Sequence, residues 1–179
     1  PPPPPLHFFL TIRRPPIPTL FPYTTLFRSN AVWTPDEKGF YYSTFDVPEA
    51  GVYSSQNQYQ KVYYHTLGKP QSSDRLIHMD TQHPLRYFAS SVSKDGKWLF
   101  ITASEGTSGS EILYRKSSDK KFKVLLPGFA NDHEIIRAEN DKLYVRTNLD
   151  APNYRVIRID LNNPSVIEEI IPENPKNML

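Results

Sequence analysis

The 179-residue chain contains no cysteine. That excludes disulfides, thiolate nucleophiles and Cys-ligated zinc or iron–sulfur sites. It does not fix a compartment, so cytoplasm and periplasm both stay open. Glycine is scarce, at 7 residues, which excludes a glycine-rich low-complexity chain. No uninterrupted apolar run approaches the ~20 residues a membrane helix needs, so no membrane partner is expected. Helix signals are nearly absent, and the final stretch Asn174–Leu179 stays an uncommitted tail. What the chain has instead is aromatic residues, with Tyr 11 and Phe 10, a load that favours strands.

Charge is unevenly placed. The formal net charge is +2, but residues 1–29 hold Arg13, Arg14 and Arg28 and no acid. The remainder therefore carries 18 basic (21 minus 3) and 19 acidic residues, a net of −1. A nucleic-acid partner is not expected, because that inference needs a basic patch on a folded face. Residues 1–29 also hold nine of the 18 prolines, a density that excludes helix interiors and central strands. The string LTIRRPPIPTLFPYTTLFRS within them resembles the conceptual translation of a sequencing adaptor. The segment is read as unstructured and non-native and is set aside from the fold; a natural proline-rich lead is the alternative.

From Asn30 onward the chain reads as strand and turn. Ser93-Lys94-Asp95-Gly96-Lys97-Trp98 is a tight turn running into a β-branched and aromatic strand, since Gly takes positive φ freely and Asp can bond its own backbone. Similar turns occur around Asp36 and Asp141, 59 residues before and 46 after Asp95 (95 minus 36, 141 minus 95). Around them three units superimpose, at about 30–80, 86–128 and 132–172, each predicted to hold four strands. The strands opening the units are Ala31–Trp33, Tyr87–Val92 and His133–Ala138. The second strands are Gly39–Ser43, Lys97–Thr102 and Lys142–Thr147. The third are Lys61–Thr66, Glu111–Lys116 and Tyr154–Asp160, and the fourth Arg75–Met79, Phe122–Leu126 and Val166–Ile170. A stretch rich in Ser, Gln and Asn, Val47 to Tyr59, lengthens the first unit and reads as a surface loop. Four antiparallel strands in ~40–50 residues is the arithmetic of a β-propeller blade. The expected fold is all-β, a partial β-propeller of about three blades over residues 30–173. A β-sandwich, which could bind carbohydrate, is the competitor, and it gives no reason for a recurring Asp turn.

Five pieces of this region, in order, resemble the propeller of the prolyl oligopeptidase family of serine peptidases. They are Trp33–Ser43, Gln60–Ile77, Ser91–Thr107, Leu143–Pro164 and Ile170–Glu173. The strings Tyr63–Asp74 and Thr147–Arg155 are the most specific. The resemblance implies an enzyme in which a seven-bladed propeller caps an α/β-hydrolase domain and admits short peptides to a Ser/Asp/His site, with cleavage after proline; a basic-residue-specific oligopeptidase is a close relative. It implies as partners the hydrolase domain and remaining blades of the same polypeptide, and short peptide substrates. The alternative is a non-enzymatic β-propeller binding module.

No catalytic, binding or metal residue is nominated, and no cofactor is expected. Gly106-Thr107-Ser108-Gly109-Ser110 lacks the last glycine of Gly-x-Ser-x-Gly and joins two strands rather than a strand and a helix. Asp132-His133 reads as the turn opening the third unit. His65 and His78 read as packing residues, and His7 and His83 show no metal spacing. Lys116, Lys120, Lys121 and Lys123 read as a solvated turn. Asn148, Pro152, Asn153, Tyr154 and Arg155 read as a loop holding strands in register, and Trp33 and Trp98 as inter-blade packing. The catalytic hydrolase domain is expected to be absent from this chain, so the chain alone is expected to be peptidase-inactive; and because three blades cannot close a ring, it is expected to expose an apolar face at each end and to associate.

Overall fold

The computed structural model describes residues 31–45 and 57–179. Segment 1–29 and most of the insertion Val47–Tyr59 lie outside the described residues. Twelve strands are present: β1 Ala31–Trp33, β2 Gly39–Thr44, β3 Lys61–Thr66, β4 Arg75–Met79, β5 Tyr87–Val92, β6 Trp98–Ser104, β7 Glu111–Lys116, β8 Lys123–Leu126, β9 His133–Glu139, β10 Lys142–Thr147, β11 Arg155–Asp160 and β12 Asn163–Ile171. They pair as three separate four-stranded sheets, β1 to β4, β5 to β8 and β9 to β12, each antiparallel and each closed within its own unit. That pairing excludes the sandwich, which would interleave strands from different units. Among the described residues there is no α-helix, and one 3-10 turn, Gln71–Ser73, precedes β4.

The core lies between the sheets. Along β6, Leu99, Ile101 and Ala103 point to the first sheet, where Ile101 and Ala103, with Phe88 of their own sheet, join a cluster with Val62 and Ile77. Trp98 and Phe100 point the other way and pack with Leu143, Val145, Ile157 and Ile159 of the third sheet. A strand buried on both faces reads as a continuous apolar run, which is why Trp98-Leu99-Phe100-Ile101 shows no alternation. Each such large side chain contributes roughly 1.5–3 kcal/mol on burial.

The three Asp turns differ. Asp36 and Asp95 cap their own turns by accepting the amides of Lys38 (3.2 Å) and Lys97 (3.1 Å). Asp141 instead sits inside a two-residue hairpin with Asn140, both at positive φ (58° and 51°), and its carboxylate leaves the turn. Strand ends move by a residue or two for local reasons. Lys97 gives its amide to Asp95 and β6 starts at Trp98. Tyr154 takes φ 68° and β11 starts at Arg155. Trp33 is 58% exposed and lies on Phe40, ring centroids 5.1 Å apart, on the face of the first sheet turned away from the second. The third sheet leaves apolar side chains exposed, Ile136, Val166, Ile170 and Ile171, and its outer face also carries ion pairs.

Candidate functional site

Antiparallel order places the start of each first strand and the end of each fourth strand at one end of the sheet. The connectors 80–86 and 127–132 and the loops 105–110 and 148–154 therefore gather there, at the entry end. The hairpin turns near Asp36, Asp95 and Asp141 gather at the opposite end.

At the entry end the structure brings Ser110, Asp132 and His133 together, between the second and third sheets. The Ser110 hydroxyl donates to the His133 carbonyl (3.1 Å) and accepts the His133 amide (3.0 Å). His133 Nδ1 lies 2.7 Å from the Thr147 hydroxyl, not on Ser110. Asp132 accepts the Gly109 amide (2.5 Å) and the Tyr154 hydroxyl (2.6 Å), bonds that hold its pKa below the usual carboxylate value, the tyrosine bond first. Burial lowers the His133 pKa. No activated hydroxyl results, because Ser110 bonds the backbone of His133 and not its ring, and the ring Nδ1 is taken by Thr147. Tyr154 accepts positive φ, uncommon for a bulky residue, because Asp132 holds its hydroxyl and the Arg146 guanidinium covers its ring at 3.8 Å. Asn148 Oδ1 accepts the Asp132 amide (2.7 Å), and Arg155 pairs with Glu169 (3.2 Å). An open cavity of about 450 Å³ elsewhere lies between β4 and the Lys120–Phe122 turn; one of about 340 Å³ lies over Ser108, Asp132, Arg146 and Tyr154.

The first two sheets meet at this end through charges that sequence reasoning missed. Arg86 donates to Asp80 (2.9 Å) and Glu105 (2.8 Å), and His83 Nδ1 lies 2.8 Å from Asp80. Gln60 accepts the Phe88 amide at 2.5 Å. Only Gln60's burial, 2% exposed, marks it, and no motif does.

The specific string Tyr63–Asp74 has a physical reason. Asp74 accepts the Tyr42 hydroxyl and meets His65 Nδ1, each at 2.8 Å, and the His65 and Asp74 side chains are both only 3% exposed. The 3-10 turn carries the chain back so that an acid nine residues on reaches the histidine. Burial raises the Tyr42 pKa to about 12. His78 stands between Phe88 and Phe122 at 4.7 and 5.5 Å. Lys116 lies over Trp98 (5.5 Å), and with Lys121 and Lys123 it lines a cleft of about 310 Å³ at the opposite end. Among the described residues no His, Asp and Glu group has metal-site geometry, and no helix is long and apolar enough to cross a membrane.

Residues 24–179 match the family model described as "Prolyl oligopeptidase, N-terminal beta-propeller domain". The chain belongs to the prolyl oligopeptidase family. It is 36% identical over 138 residues to a prolyl endopeptidase of Elizabethkingia meningoseptica, covering 76% of this chain and 19% of that protein. It is 32% identical over 166 residues to prolyl oligopeptidase A of Amanita bisporigera, covering 84% and 22%. A solved prolyl endopeptidase structure superimposes with a TM-score of 0.75 at 33% identity, over 83% of this chain and 22% of that one. Oligopeptidase B of Leishmania major, at 19% identity and TM-score 0.61, shares the fold. The chain thus spans about a fifth of the length of the curated relatives it matches. Its sheets are blades of the family's propeller domain.

Proposed function

We propose that this chain is part of the gating propeller of a longer serine-type endopeptidase that hydrolyses short peptides after proline. The observation that carries the reading is the 36% identity to a protein named prolyl endopeptidase, spread over three quarters of the chain. The entry end, where the chain enters and leaves every blade, is the end a neighbouring hydrolase domain would meet. Blades closed on themselves and packed face to face form a stiff wall, which suits excluding folded proteins while short peptides pass. The nucleophile, base and orienting acid are assigned to the hydrolase domain and not to Ser110, His133 or Asp132, whose bonds join blades.

The test is peptidase assay of the intact polypeptide with fluorogenic peptides ending in proline or in arginine, beside the isolated chain. Cleavage after proline by the intact polypeptide only is the expected result. Cleavage after arginine would reassign specificity, and an intact polypeptide inert to both would favour a non-enzymatic binding propeller.

A further inference from the structure

The free face of the third sheet differs in kind from the two joints inside the chain. The register places Leu143, Val145, Ile157 and Ile159 on the face toward the second sheet. On the opposite face Lys142 stands between Glu139 and Asp160, Tyr144 between Arg137 and Arg158, Arg146 between Glu134 and Val156, Arg158 beside Glu168 and Val156 beside Ile171. These side chains pair among themselves: Lys142 with Asp160 (2.7 Å), Arg146 with Glu134 (3.4 Å), Arg158 with Glu168 and Arg137 with Glu139. Four cations and four carboxylates balance, and several remain well exposed, Glu134 at 69% and Arg137 at 54%. Arg158 Nε is shut from solvent with no acceptor.

The chain itself leads to what covers this face. Connector 80–86 bonds the preceding loop through the Tyr59 amide and Pro84 carbonyl (2.7 Å) before starting β5. Connector 127–132 does so through the Ser110 amide and Asn131 carbonyl (2.8 Å) before starting β9. After β12, residues 172–179 follow the same course. Glu173 accepts the Asn153 amide (2.6 Å), the Leu179 amide donates to the Asn153 carbonyl (2.9 Å), and Arg146 donates twice to the Leu179 carbonyl (3.0 and 2.6 Å). The chain is thereby delivered to the charged face as the earlier connectors deliver β5 and β9.

We propose that the next blade of the intact polypeptide covers this face through a polar, hydrated joint that opens more readily than the two joints within the chain. This rests on the propeller reading above. Covering the face removes water from four ion pairs, and desolvation offsets most of what pairing gains. The inner joints carry ion pairs at their ends, Arg86 with Asp80 and Glu105 and Lys97 with Asp141, but between them they bury aromatic and aliphatic side chains. Of these three joints the one at the third blade's free face opens first, which would place a side route for peptides there.

The test uses the intact polypeptide, freed of other cysteines, with Tyr144→Cys as reporter and Ala138→Cys as control in the inner joint. Arg137→Cys is a second reporter on the same face should the first disturb folding. Thiol modification at position 144 is expected to be about tenfold faster than at 138 and about tenfold slower than in denaturant, as for local opening. Lys142→Met with Asp160→Leu should slow it. Modification as slow as at 138 would overturn the hydrated joint and leave the propeller reading standing. Modification as fast as in denaturant, with 138 still protected, would mean that no blade covers the face and would overturn both.

Discussion

The indole Nε1 of Trp98 donates to Asp141 Oδ1 at 2.7 Å, so a hairpin turn of the third blade is bonded to a core side chain of the second. Lys97 reaches the same carboxylate at 2.5 and 2.7 Å. The neighbouring backbone adds a bond from the Lys94 amide to the Ala138 carbonyl (3.0 Å). Trp98 is 3% exposed, and a buried donor left without an acceptor is costly.

The acid limb of stability should report this contact. Lys97 first and Trp98 second lower the Asp141 pKa from 3.8 to about 2. A carboxylate with a depressed folded pKa stabilises above its unfolded value, and that share is lost as pH falls through the folded one. The thermal midpoint should therefore drop between about pH 4 and 2, and Asp141→Asn should flatten part of that drop. Trp98→Phe should flatten less, since lysine is the larger cause. An acid limb unchanged by Asp141→Asn would contradict the bond.

The strands were legible because aromatic and β-branched runs between Asp, Asn and Gly turns leave few alternatives. The target of Asp141 was not, because its partner lies 43 residues away and sequence likeness among three Asp turns hides a change from self-capping to cross-linking. The charged outer face was written in the alternation Lys142-Leu143-Tyr144-Val145-Arg146-Thr147. At the entry end Ser110 and Asp132-His133 were read separately as loop and turn, and folding joins them into one inter-blade lock.

Gln60→Ala should test the lock between the first two blades. The substitution leaves the amide of Phe88, itself 4% exposed, without the acceptor now 2.5 Å away. A loss of about 1–3 kcal/mol follows for such a buried donor, measurable by urea unfolding. A loss no larger than that of an exposed control such as Gln82→Ala would show that water replaces the side chain.

Two glycines at similar φ should respond differently to alanine. Gly68 has φ 75° and open space around it, so Gly68→Ala costs only the left-handed conformation, about 1 kcal/mol. Gly109 has φ 77°, but a Cβ there would strike the Phe129 carbonyl, and moving away would break the Asp132 bond. Gly109→Ala should cost about 3 kcal/mol or more. Equal losses for the two variants would mean that connector 127–132 yields freely.

Mild acid should weaken the blade joints through two histidines. Burial lowers the pKa of His78, with Asp80 opposing and Arg86 adding to the shift. Burial likewise lowers that of His133, against the charge of Asp132. When the folded pKa lies below the unfolded ~6.5, the unfolded chain binds protons first. Stability is then complete above that value and falls as pH drops below it. The thermal midpoint should decline from pH 7.5 to 5.5, in a window separate from that of Asp141. His78→Leu keeps an apolar filler between Phe88 and Phe122 and should remove its share of the slope, leaving the share of His133. A slope untouched by His78→Leu would mean that His78 binds its proton as readily folded as unfolded, and that the joint between the first two blades admits water.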